Sequence, residues 1–480
     1  MFYIFFFKKK ITIVVILISF LFSLAISKYN LINFDKYTKN SSGADYHQMI
    51  KGDAYRYLVD GHSIKEDLKN GKNFFLTGNN YTKYLPSRIA AAYYYFFDID
   101  LFDKFSGKIN IGIHFLYLII QNLFYSFSVL YLYFSLVKIF RESICFFIVS
   151  FLCIEPTINQ YHGTFWHESF SFSFQIILIS LMLRNNFKSM NFFFIGIFLG
   201  LLSAQKQYAI FYIAFAFIYF FFILKNKKVF AFFIISLGFL IIQSFIIYNN
   251  KIRSGVSQIL TSDMKFAIHM DLVEQVMAKK LNISTKEFRI KEGETAYKWV
   301  KNNLILYDSK KIYDLKEDLG FMQVREAIIS ESDKYKFDNY IKKRSINFIF
   351  ESPTFFFKHV IIKSLHTLLL NPFHIYSDHN FKSGKHFYGT STHNKLIPYR
   401  LTYSLVIYAI CIIGLWKMFR EKKNLIIIFF LLSATYFYIT VSWHGNTRYF
   451  VPVLIYLSIP FGFGAMSIVD SLKNYFKLFR

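Results

Sequence analysis

The chain has 480 residues, of which 54% are hydrophobic, and carries 56 Lys and Arg against 30 Asp and Glu, a net charge of +26. A soluble domain is roughly 45–50% apolar, so the excess points to lipid as a second solvent. The positive charge falls in short segments between apolar runs, where it orients spans and meets anionic headgroups, and no separate basic domain is left to grip a nucleic acid. The 62 Phe and 35 Tyr, beside abundant Ile, Lys and Asn, read as nucleotide bias rather than as a functional signal. Cys145, Cys153 and Cys411 all fall in apolar stretches, which suggests neither a disulfide framework nor a thiolate metal site.

Apolar runs lie at 11–27, 112–137, 143–160, 169–183, 190–205, 207–224, 229–248, 401–416, 425–442 and 449–469. About twenty apolar residues cross a hydrocarbon core, so the pattern predicts an all-α polytopic membrane protein with about ten spans. The first run follows Lys8, Lys9 and Lys10 and has no convincing cleavage site after it, so it reads as a retained span. An alternating topology puts the basic clusters at 8–10, 138–141, 184–188, 225–228, 417–423 and 473–480 on one face. The positive-inside bias makes that face and both termini cytoplasmic, in the plasma (inner) membrane.

The opposite face receives 28–110, 155–168, a tight turn at 205–207, 249–400 and 443–448. Three regions follow: an N-terminal membrane core at 1–248, an extracytoplasmic and mostly helical segment at 249–400, and a C-terminal membrane segment at 401–480. Residues 354–371 approach the apolarity of a span, but Lys358, Lys363 and His366 fit an amphipathic juxtamembrane helix in the interface.

The external segments hold the candidate chemistry. In the first, Asp45 sits in Gly43-Ala-Asp-Tyr-His47 and Asp53 opens Asp-Ala-Tyr-Arg-Tyr57, ahead of Tyr84-Leu-Pro-Ser-Arg88. An aspartate above the bilayer can take a proton from an acceptor hydroxyl, although a capping or solvated acid has the same signature. The second runs from Glu155-Pro156 through His162 to Trp166-His-Glu168. Glu168 at a helix end is a functional candidate, with Lys206 or His162 as partner; an interfacial acid facing water is the plainer alternative. The His/Glu density also admits a divalent cation. Lys206 follows Gly196-Ile-Phe-Leu-Gly200, and Arg448 lies in Trp443-His-Gly-Asn-Thr-Arg-Tyr-Phe-Val-Pro452. Both cations run against the charge trend, and each could bind phosphate or merely reach to headgroups.

The order of these motifs resembles the GT-C superfamily of membrane glycosyltransferases, which use polyprenyl-phosphate sugars, and within it the protein mannosyltransferase and aminoarabinose transferase branch. The resemblance covers both membrane halves: Asp53, Tyr57, Gly71 to Phe74 and Tyr84 to Pro86, with Asp45-Tyr46 as a rival to Asp53; Pro156 through Glu168; Gly196 through Lys206, where the family has Arg; Ser352-Pro353; and Arg448-Tyr449 with Pro452. It implies transfer of a sugar from a polyprenyl-phosphate donor to a lipid, glycan or protein acceptor on the extracytoplasmic face. Asp53 or Asp45 would be the base, Lys206 and Arg448 the donor-phosphate cations, and Glu168 with His162 the groups that orient the acceptor or hold a divalent ion. A lipid-linked-glycan transporter or flippase and a polysaccharide polymerase are the rival classes.

Overall fold

A computed structural model describes residues 2–38, 53–74, 77, 84–101, 114–184, 188–224, 226–255, 257, 268–304, 307–308, 320–371, 391–442 and 450–478. Among these the chain is helical, with one isolated antiparallel bridge between Tyr307 and Ile328. Five helices are long and apolar enough to cross a membrane, over Lys10–Ile32, Phe115–Leu136, Lys228–Ile252, Ile397–Arg420 and Val451–Phe476. At a rise of about 1.5 Å per residue, 22 residues reach some 33 Å, the depth of a hydrocarbon core. Five shorter apolar helices carry the remaining runs: Glu142–Ile154, Glu168–Leu183, Ser189–Gln205, Gln207–Ile223 and Asn424–Thr440.

In chain order, α1 is Phe2–Thr38, α2 Asp53–Lys69, α3 Tyr84–Phe96, α4 Phe115–Leu136, α5 Glu142–Ile154, α6 the single turn Pro156–Asn159, α7 Glu168–Leu183 and α8 Ser189–Gln205. A 3-10 turn, Gln207–Phe211, leads into α9, Tyr212–Ile223, and then comes α10, Lys228–Ser254. Several helices run past the apolar stretches that mark them, because polar flanks without a breaker continue a helix. In α10 the continuation stops at Gly255, whose φ of 72° ends the helix in the left-handed region.

Helix α1 packs on α4 and α5, α4 on α7, and α8 on α10. The α8–α10 seam is close because a Cβ at Gly196 would overlap the Ile235 carbonyl oxygen, and one at Gly200 would lie 2.7 Å from Ile242 Cβ. Small residues of this kind let membrane helices approach where lipid gives no hydrophobic drive for association.

The segment after α10 builds α11 (Glu274–Lys280), α12 (Thr285–Asn303), α13 (Phe321–Ala327), α14 (Glu331–Glu351) and α15 (Pro353–Leu368). Ser284 and Ser330 cap α12 and α14 by accepting from the amides of Glu287 and Asp333. Two small cores hold these helices together. One gathers Val300, Phe321, Val324, Phe337 and Ile341, with Trp299 stacked on Tyr340 at 4.6 Å. The other joins Val276, Met277 and Phe288 to Phe356 of α15.

A buried Arg325–Asp338 pair at 2.9 Å and an Arg344–Glu292 pair fix the charged faces. Beside them, burial holds the His269 imidazole down to about 3, so it is neutral where its Nδ1 meets Ser345 Oγ at 2.9 Å. The mostly helical expectation for 249–400 is met among the described residues. The helix that carries the run at 401–416 begins earlier, because α16 is Ser391–Arg420 with Pro398 inside it. The bundle is completed by α17, Asn424–Val441, and α18, Val451–Leu478, and α16 packs along α18.

Candidate functional site

The site is built around the connection from α5 to α7. Helix α5 stops because Pro156 follows Glu155: the proline opens a new turn and the Glu155 carboxylate caps it, accepting from the Ile158 amide at 2.7 Å. Burial raises the Glu155 pKa, and the Tyr403 hydroxyl, which donates to its other oxygen at 2.5 Å, works against that rise. The carboxylate therefore ties the loop to α16.

Residues 160–167 are buried throughout, an unusual state for irregular backbone, and side-chain amides from three helices answer its carbonyls. Gln121 Nε2 donates to the carbonyls of His162 and Thr164 at 3.2 and 3.0 Å, and Asn122 Nδ2 to that of His162 at 3.0 Å. Asn30 Nδ2 donates to Gly163 O at 3.1 Å, and Gln205 Nε2 to His167 O at 2.9 Å. Gln160 reaches outward from the loop to the Asn371 carbonyl at 2.9 Å. Irregular backbone removed from water is tolerated only when its polar groups are satisfied inside the protein in this way.

This scaffold places Glu168 at the first turn of α7 and Lys206 at the residue after α8, with Lys206 Nζ 2.7 Å from Glu168 Oε1 and both side chains nearly inaccessible. Of the two partners the sequence offers Glu168, the structure brings Lys206 to it. His167 Nδ1 lies 3.8 Å from the other carboxylate oxygen. His162 turns elsewhere: its Nδ1 meets Ser169 Oγ at 2.7 Å, its ring packs 3.9 Å from Tyr125, and its Nε2 has no hydrogen-bond partner among the described residues. Burial pushes the His162 imidazole down to about 3, so it is neutral at physiological pH.

The segment between α1 and α4 reaches the same place through α2. Tyr57 packs edge-on against His167 with ring centroids 4.8 Å apart. Asp53 is the first residue of α2, one helical turn before Tyr57, so the two positions share a face of the helix. Asp45 and Arg448 lie outside the described residues.

Arg88 belongs to a motif the sequence singles out, but its place is legible only in three dimensions. It is buried on α3, donates to the carbonyls of Thr77 and Tyr84 at 2.6 and 3.2 Å, and lies 3.5 Å over the Tyr84 ring. A 3.5 Å contact with Asn249 Oδ1 joins it to α10, and Tyr84 packs with Ala204 and Ile246, which brings α3 to the end of α8 beside Lys206. No single-sequence signal distinguishes this arginine from a solvated one.

At Glu168 the Lys206 ammonium stands at hydrogen-bond distance from Oε1, so the charge of that carboxylate is answered by a side chain of the protein itself. The one group of three His, Asp or Glu among the described residues whose ligand atoms converge is His62, Glu66 and Asp100, at the other end of α2.

Along α4, α7 and α8 runs an apolar cavity of about 530 Å³, lined by Phe124, Phe127, Tyr131, Phe194 and Phe198. What the site assembles is a buried ion pair, an imidazole and a tyrosine of α2, at one end of an apolar bundle. Neither a protein-family model, a curated protein nor a solved structure matches the chain.

Proposed function

We propose that the chain is a ten-span GT-C-type glycosyltransferase that moves a sugar from a polyprenyl-phosphate donor to a hydroxyl of a lipid, glycan or protein acceptor on the extracytoplasmic face. The observation that carries this reading is the convergence of three separated external segments, through Tyr57, Glu168 with His167, and Lys206, at one buried point. A transferase needs a base, an orienting acid and a cation near each other, and those are the roles the motif order assigns to these segments.

In the proposed reaction the acceptor oxygen attacks the anomeric carbon, its proton passes to the carboxylate of Asp53 or Asp45, and the bond from that carbon to the phosphate oxygen breaks. The configuration inverts and polyprenyl phosphate leaves. Lys206 and Arg448 offset the charge on the departing phosphate. Glu168 holds the Lys206 ammonium toward the site, and the apolar lining along α4, α7 and α8 offers the donor's lipid chain a place to lie.

The test is transfer of radiolabelled sugar from defined polyprenyl-phosphate donors by membranes containing the wild-type chain, Asp53→Asn or Asp45→Asn. A general base contributes about a hundred- to ten-thousand-fold, so one of the two variants should lose nearly all transfer while keeping its expression level. Near-normal transfer by both would refute the mechanism. No transfer by the wild type from any donor, with donor flipping in proteoliposomes instead, would favour a carrier of lipid-linked glycans.

A further inference from the structure

We propose that His62, Glu66 and Asp100 form a site for one divalent transition-metal ion of the zinc type, which clasps α2 to the turn that follows α3. His62 and Glu66 stand four residues apart on α2, and so project from the same face of the helix. Asp100 is carried to them by the end of α3. The chain leaves that helix through Asp98, whose φ of 46° puts a non-glycine residue in the left-handed region and folds the turn back toward α2. One ligand atom from each of the three residues lies within 4.8 Å of the others.

Imidazole nitrogen with two carboxylate oxygens is a donor set that zinc accepts. Bonds of about 2.1 Å in tetrahedral array put ligands about 3.4 Å apart, so closing the site needs roughly an ångström of side-chain movement. Glu66 is exposed, and His62 and Asp100 are half-buried, so both an entry path and a partly dehydrated floor are present.

The neighbouring charges favour a cation. Lys65 is fully buried against this turn, donating to Asp100 Oδ1 at 2.6 Å and to the Ile99 carbonyl at 2.9 Å, and it lies 3.4 Å from Asp98, which also pairs with Lys69 at 3.0 Å. Glu66, Asp98 and Asp100 thus set three negative charges against the two of Lys65 and Lys69.

The clasp would brace the end of α2 opposite to the turn that begins at Asp53. His62 packs edge-on against Tyr94 at 6.1 Å, and Tyr94 OH meets His114 Nε2 at 3.1 Å, so the cluster is joined to the membrane core through α3 and α4. The metal site is independent of sugar transfer.

The test uses the full chain purified in detergent, stripped with a chelator and titrated separately with Zn²⁺, Mn²⁺ and Mg²⁺. Bound metal is counted after gel filtration, and the unfolding temperature is read in parallel. We expect one retained Zn²⁺ per chain and a higher unfolding temperature with zinc. In His62→Ala and in Glu66→Gln, an exposed position whose change does not threaten folding, affinity should fall by at least about tenfold. Zinc retention no greater than that of Mg²⁺, or retention unchanged in both variants, would overturn the proposal.

Discussion

Glu168 and Lys206 are 38 positions apart in the chain and 2.7 Å apart in space, each almost wholly removed from solvent. Such a pair is held less by its own attraction than by the cost of breaking it, since removing one partner strands a buried charge at about 3–5 kcal/mol. Glu168→Gln and Lys206→Met should therefore each lower the unfolding temperature in detergent strongly, and the double variant should recover a large part of the loss. Single variants as stable as the wild type, or losses that simply add, would mean the two groups are not coupled. The sequence names both residues, because a charge at a span end against the local trend is visible in one dimension. It does not choose between Lys206 and His162 as the partner, since that choice depends on how α7 and α8 lie together. The pinning of 160–167 by Gln121, Asn122, Asn30 and Gln205 was equally hidden, because an amide in an apolar run looks the same whether it faces a helix or a loop carbonyl.

Among the elements, the long apolar helices are the most legible, since length and the absence of charge suffice to mark them. The shorter ones end where a local residue stops them, as Pro156 does for α5, and where the extended backbone of Lys206 separates α8 from the 3-10 turn. In the sequence Gly196 and Gly200 belong to a motif that leads to Lys206, and in the fold they have a packing role: they are where α8 meets α10. The two roles are linked, because the depth of that contact sets where the end of α8, and with it Lys206, stands relative to Glu168. Overpacking a tight contact usually costs about 1–3 kcal/mol, and at Gly196 the obstacle is the Ile235 carbonyl, which cannot rotate away. Gly196→Ala should thus depress the unfolding temperature, and Gly196→Leu should do so further. Ala or Leu at Gly196 without effect on stability would show that α8 and α10 stand further apart.

For the whole molecule, the decisive question is which helices cross, and the packing constrains it. Lys423 lies 5.8 Å over Phe140, Arg184 lies 4.2 Å over Tyr131, and Tyr219 OH donates to Met182 O at 3.3 Å, which gathers the basic ends of α4, α7, α9 and α17 at one end of the bundle. Lys206, Glu168 and Tyr403 with Glu155 gather at the other. The segment between α10 and α16 departs from and returns to that second end: Asn249 near the end of α10 meets Arg88, and Arg400 near the start of α16 donates to the Leu369 carbonyl at 2.7 Å. Helix α15 finishes there too, with Thr367 Oγ1 donating to Ser442 O at 2.8 Å. It turns Phe356 and Thr367 inward and leaves Phe355, Phe357, Ile361, Ile362 and Leu365 exposed, the profile of a helix lying in an interface. A single crossing by α15 would leave α16 starting at the wrong end. Single cysteines in place of Lys227 and Lys422 should therefore label from one side of the membrane, and one in place of Lys301 from the other. All three positions are exposed, whereas the native Cys145, Cys153 and Cys411 are buried and should give little background with an impermeant reagent. Labelling at Lys301 from the same side as Lys227 would mean that α10 does not cross, which would sink the ten-span arrangement. Labelling at Lys227 and Lys422 from opposite sides would restore α15 as a span and move the proposed site for Arg448 to the wrong face.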